Sequence, residues 1–137
     1  MEGRKITGVF ANAYVLSKSR YAILEKYWKL VELNGKLVVV GSTFVKEPHL
    51  IFKEAGNRAL GNAGCNKFSL TFSTGNDDRI SIHHGAITQM DCPRMNFERE
   101  FLDALRRADN YNLIGDTFVL NKARMAPLAR FNRVYLK

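Results

Sequence analysis

The sequence predicts a mainly β, α+β fold: an antiparallel sheet rolled into a small partial barrel, with one amphipathic helix over about residues 96–109. Three observations lead there. Short runs of β-branched and aromatic residues alternate with turn-forming residues along most of the chain. Two turn pairs, Asn34-Gly35 and Gly115-Asp116, stand between apolar runs as hairpin connections do. A single stretch near residue 100 changes from a period of two to a helical period.

In chain order, Ile6, Val9, Phe10, Tyr14, Val15 and Leu16 are strand formers, and Ser17-Lys18-Ser19-Arg20 breaks the pattern like a linker. Residues 1–26 are therefore taken as an N-terminal extension, or the end of an upstream domain, and residues 27–137 as the folded domain. Trp28 to Leu33 reads as a strand, and Lys36 to Val40 as its return. The Asn-Gly pair between them suits a type I′ turn, which needs positive φ at both positions. Pro48 opens a strand running to Lys53, and Glu54 to Asn57 turns the chain. Lys67–Ser73 and Ile80–Ile82 alternate as half-buried strands. Phe97, Phe101, Ala104, Leu105 and Ala108 fall on one face of a helix, with Glu98, Arg99, Asp103, Arg106 and Arg107 assigned to the other. Tyr111 to Leu120 reads as a second hairpin and Leu128 to Leu136 as a closing strand.

Composition narrows the function classes. Of 137 residues, 46% are hydrophobic and 25% charged, the balance of an ordinary globular domain. No apolar run reaches the roughly eighteen residues that a membrane-spanning helix needs. The net charge of +8 is concentrated at the ends: five basic and two acidic residues in 1–26, five basic and none acidic in 122–137, eleven of each sign between. A nucleic-acid reader gathers its charge on one surface with aromatic platforms. Arg124, Arg130 and Arg133 are the only such cluster, and solvated strand faces explain them equally, so nucleic acid is not the expected partner.

The most unusual segment is Gly61 to Phe68, whose two glycines and two asparagines imply tight backbone. It lacks the lysine and hydroxyl of a phosphate-binding loop and reads as a structural turn presenting Cys65. Cys65 and Cys92 are the only cysteines. A structural disulfide between Cys65 and Cys92, both in turn-like sequence, is the expectation in an oxidising compartment; in the cytosol they would remain small reduced core residues, and as a nucleophile Cys65 would need a histidine base. His49, His83 and His84 show no metal-ligand spacing, and adjacent His83 and His84 would point to opposite faces of a strand. Asp77-Asp78 lie in a turn, and Glu98 and Glu100 read as partners of the helix dipole. No catalytic constellation, metal site or cofactor motif emerges, and the chain is read as a non-enzyme without a cofactor.

Taken in order, Trp28-Lys29-Leu30 with Asn34-Gly35, Pro48-x-Leu50-x-Phe52, Gly61-x-x-Gly64-Cys65-Asn66-x-Phe68, Thr88-x-Met90-x-Cys92-Pro93, Glu100-x-x-x-x-Leu105 and Gly115-Asp116-x-x-x-Leu120 resemble the META (HslJ-like) domain family over about residues 27–136. The Gly-Cys-Asn and Thr-x-Met-x-Cys pair carries most of the specificity, so Gly61, Gly64, Asn66, Phe68, Thr88 and Met90 join the two cysteines as motif residues. Ala63 and Leu70 stand where the family commonly has glycine. Residues 1–20 resemble the end of an NlpE-like lipoprotein domain. The resemblance implies a bacterial cell-envelope location, periplasmic or outer-membrane-associated, and a stress-related role with no established molecular activity. An envelope protein or a small ligand is then the expected partner, and any lipid anchor belongs to a segment upstream of Met1. A lipocalin-like carrier of a small apolar ligand, with an open barrel mouth, is the alternative. A thiol or metal enzyme centred on Cys65 is a further one.

Overall fold

The computed structural model describes residues 20–39, 44–124 and 126–135. The N-terminal strand formers, the NlpE-like segment and Val40 lie outside the described residues. Among the described residues nine strands form one antiparallel sheet: β1 (Tyr27–Leu33), β2 (Lys36–Leu37), β3 (His49–Lys53), β4 (Arg58–Asn62), β5 (Lys67–Gly75), β6 (Arg79–Ile87), β7 (Asn110–Ile114), β8 (Thr117–Asn121) and β9 (Ala129–Val134). The strand order is β2-β1-β3-β4-β5-β6-β7-β8-β9, and β1 also pairs with β9, which closes the sheet into a ring. The ring is not a regular barrel. β6 and β7 share only the pair Arg79↔Asn110, and the helix α1 (Met95–Arg107) spans the connection between them.

Local sequence explains the elements. Asn34 and Gly35 both have positive φ, 50° and 82°, as the type I′ reading of that hairpin requires. The return strand is shorter than expected: its ladder names only Lys36 and Leu37, after which Val38 still donates its N–H to Val31. β4 was not anticipated, because Arg58-Ala59-Leu60-Gly61-Asn62 has little strand propensity. Its pairing with β3 and β5 on both edges overrides that preference. β6 also runs five residues past Ile82, through a bulge that sets His83 and His84 against the single residue Thr71. Both histidines are exposed as a result, so the expectation that they point to opposite faces is incorrect.

The helix begins one residue earlier and ends two earlier than expected. It lies across one end of the ring, touching β6, β1 and β9. Phe101 is fully buried, its ring edge-on to Phe68 at 6.0 Å and 6.0 Å from Phe131. The interior is filled by side chains: Phe118 meets Trp28, Phe52, Tyr111 and Phe131 at centroid distances of 5.3–5.8 Å. An aromatic ring this enclosed contributes both buried area and edge-to-face attraction.

Residues 20–23 are helical and lead into this core. Ile23 and Leu24 are buried. Leu24 bridges Phe52, and the Trp28 indole N–H donates to the Ile23 carbonyl at 3.0 Å. We therefore propose the domain division at residue 27 as an experiment in fragments. The fragment 27–137 is expected to fold with a lower melting temperature than 20–137, because it lacks two buried side chains and the acceptor of Trp28. An unfolded 27–137 would put the boundary upstream. Phe101→Ala should cost about 3–5 kcal/mol in chemical denaturation. A loss below about 1 kcal/mol would mean the ring is not packed as described.

Candidate functional site

The motif residues converge where the β4–β5 connection meets the end of β6 and the start of α1. Gly61 sits on β4 opposite Phe68. A Cβ there would lie 2.2 Å from the His49 carbonyl oxygen and 2.6 Å from the Phe68 ring, so only glycine fits. Gly64 has φ +111°, a conformation that L side chains rarely adopt. Its carbonyl accepts the N–H groups of Val45 and Lys46. The Asn62 side chain closes the turn, accepting from Gly64 N at 2.8 Å and donating to Cys65 O at 3.1 Å. With the bend carried by Gly64, Ala63 fits at ordinary φ and is buried, as is Leu70.

Asn66 is the hub. It is 3% exposed, and its amide uses both ends. Its Oδ1 accepts from the Thr88 hydroxyl at 2.8 Å and from Met90 N at 2.7 Å. Its Nδ2 donates to Met90 O at 3.2 Å and to Glu98 Oε1 at 2.8 Å. Its backbone N–H donates to Glu98 Oε2 at 2.7 Å. Thr88 Oγ1 also accepts from Lys67 N at 3.0 Å. One side chain thus ties β5, the segment after β6 and the first turn of α1 together. The polar atoms named are satisfied by one another, the condition under which a buried network rigidifies rather than weakens a core.

Cys65 and Cys92 form a disulfide with Cα atoms 6.1 Å apart. Both residues are buried, and Asn66 Nδ2 lies 3.4 Å from the Cys92 sulfur. Bonded to each other, neither sulfur is a free thiol in this structure. Among the described residues no group of three or more His, Cys, Asp or Glu side chains could hold a metal ion. His49 lies apart from His83 and His84. Its ring stacks on Tyr27 at 4.4 Å, and its Nδ1 donates to the Glu47 carbonyl at 2.9 Å. Burial pushes its pKa below the ordinary histidine value. Tyr27 in turn donates to the Glu47 carboxyl at 2.9 Å, and burial followed by that hydrogen bond raises the phenol pKa.

Glu98 is the residue that sequence reasoning misplaced. It was assigned to the solvent side as a dipole partner, yet it is 3% exposed and receives both Asn66 donors. A signal was present: 98, 101, 105 and 108 form one helical row, so Glu98 continues the stripe of Phe101, Leu105 and Ala108. Met90, by contrast, contributes through its backbone, and the residue is 50% exposed.

Two concavities flank the site, one on each side of Phe44 to Lys46. One, of about 550 Å³, lies between β2 and α1, with Phe44, Phe97, Arg94 and Glu100 in its wall. The other, of about 650 Å³, lies over β4, β5 and the end of β6.

Asn66→Ala should destabilise the domain by about 3 kcal/mol or more, since each buried partner left unsatisfied costs about 1–3 kcal/mol. Glu98→Gln should cost about 1–3 kcal/mol, because an amide nitrogen would then face one of the two Asn66 donors. Urea unfolding monitored by tryptophan fluorescence measures both, and a loss under about 0.5 kcal/mol in either would contradict the network. Cys65→Ser, Cys92→Ser and the double variant should each lose about the same 3–4 kcal/mol, because all three remove one cross-link. A double variant much weaker than either single would show separate roles.

No curated protein matches the sequence. Among solved structures, the chain is similar to a protein from Burkholderia xenovorans studied by NMR, with a TM-score of 0.64 and 20% identity over 85% of this chain and 87% of that one. A second NMR structure gives 0.62 and 19% over 82% and 92%. A DUF4847 family protein from Bacteroides vulgatus gives 0.60 and 16% over 83% and 96%. At these identities the likeness is one of fold. A family model described as the META domain matches residues 22–135. With its glycine, cysteine and asparagine motifs placed as found above, the chain belongs to the META domain family.

Proposed function

We propose that this chain is a non-catalytic domain of the bacterial cell envelope, acting in a stress-related binding or structural role. The observation that carries this reading is the cross-linked site itself. A disulfide and an internally satisfied amide–carboxyl network join the β4–β5 turn to the helix. Disulfides persist in oxidising compartments and are rare where thiol reductants are abundant. A site whose polar groups bond one another holds a surface in shape and leaves no acid, base or nucleophile for chemistry. The helices of the described residues include none long and apolar enough to cross a membrane. The interior aromatic cluster occupies the space that a lipocalin-like carrier would keep open, so a ligand would bind on the outside of the ring.

The test is thiol trapping in cells. The full-length protein, expressed from its own gene, is acid-quenched, alkylated and fractionated. The expected result is an intramolecular disulfide in protein recovered from the periplasmic or outer-membrane fraction. Two freely alkylated thiols in protein confined to the cytosol would overturn the reading.

A further inference from the structure

The groove over β4, β5 and β6 has a composition unlike that of the surrounding surface. Its floor runs across three strands through Leu60, Ser69 and Ala86, which are paired in register. Phe68 and Ile87 lie beneath them, and Val45, 64% exposed, forms the rim. Several neutral polar side chains of the lining are already engaged. The Ser69 hydroxyl accepts from Arg58, the Thr88 hydroxyl donates to Asn66, and Asn62 bonds within its own turn. Two ammonium groups, Lys46 and Lys67, line the groove, and no carboxyl side chain does. Among the described residues neither lysine has an acidic partner. A volume of about 650 Å³ falls within the range of small-ligand sites, about 300–1,000 Å³.

Backbone chemistry decides the class of occupant. β4 and β5 are bonded on both edges, so these two strands of the floor offer no free N–H or C=O to an extended peptide laid across them. A peptide laid there would bury its own amides unpaired, at a cost an acyl chain does not carry. The lysines and the absence of acids select the sign of the head group.

We propose that this groove binds a single-chain anionic amphiphile, with the acyl chain on Leu60, Ala86 and Val45 and a carboxylate head against Lys46 and Lys67. The proposal rests on the binding reading of the domain. It predicts a shallow, reversible site in which apolar contact supplies most of the affinity, since exposed ion pairs contribute little each.

The probe is dodecanoate at pH 8, below its micelle concentration, with dodecyltrimethylammonium as the same chain carrying the opposite charge. Binding is followed by calorimetry and by amide shifts of the oxidised full chain. The expected result is saturable one-to-one binding of dodecanoate with shifts centred on Leu60, Ala86 and Thr88, and clearly weaker binding of the cation. Lys46→Glu with Lys67→Glu should weaken dodecanoate by about tenfold, the order that two exposed charge contacts are worth. Ala86→Glu, at an exposed position, should weaken it as well. Each variant is accepted only if its amide spectrum away from the groove is unchanged. Absence of saturable binding, equal affinity for anion and cation, or shifts centred between β2 and α1 would overturn the proposal. So would recruitment to anionic vesicles without binding of monomeric dodecanoate. None of these failures bears on the compartment, which thiol trapping tests separately.

Discussion

Asn66 stands in the β4–β5 turn where that turn, the chain leaving β6 and the first turn of α1 meet, and its side-chain amide hydrogen-bonds to the other two. The reason lies in how the ring is built. Between β6 and β7 the sheet has a single paired position, so the ladder does little to hold that side. The helix covers it, and a helix whose N-cap makes no side-chain bond needs another anchor. Glu98 provides one end of that anchor and Asn66 the other. The disulfide adds a covalent tie two residues before the helix-leading Arg94. Removing water from this cluster strengthens each bond while making any unpaired member costly. The family's glycines follow from the same constraint. Gly61 lets Phe68 reach the core, and Gly64 turns the chain so that Cys65 and Asn66 face inward.

The remaining architecture supports that cluster from below. Trp28, Phe52, Phe118 and Phe131 fill the ring, and β1 closes it by pairing with β9 on one edge and with β2 and β3 on the other. Phe101 is the link between the two levels. It contacts Phe68 beside the polar cluster and Phe131 in the aromatic core. Packing of the helix and the geometry of the site therefore share one side chain.

The strands and the helix were legible because their patterns are strong: alternation in β5, the Asn-Gly turn after β1, and the stripe of Phe97, Phe101 and Leu105. The Cys65–Cys92 disulfide was legible because the two cysteines of the chain lie in turn-like sequence, between Gly64 and Asn66 and before Pro93, where the backbone can bring them together. β4 was not legible, since Ala-Leu-Gly-Asn has weak strand preference and becomes a strand through its two neighbours. The bulge at His83-His84 shifts the inward phase by one residue, which a strict period of two cannot register. Glu98 was misread because a carboxylic side chain in a first helical turn has an obvious dipole explanation. Its place in the buried row becomes decisive only when Asn66 stands opposite. The packing of Ile23 and Leu24 was missed for a similar reason: the Ile23 carbonyl meets the Trp28 indole and Leu24 bridges Phe52, partners that nothing local in the extension announces.

Native-state hydrogen exchange at the Met90 amide tests the central role of Asn66 most directly. Met90 lies in a segment without strand or helix, and the residue is half exposed. Its N–H donates to Asn66 Oδ1 at 2.7 Å. If Asn66 holds the site together, this loop amide exchanges only by opening of the core, with protection approaching that of Phe118 and Phe131. Exchange as fast as at the Gly115 hairpin tip would contradict the account, because the amide would then be open to solvent while the sheet remains folded.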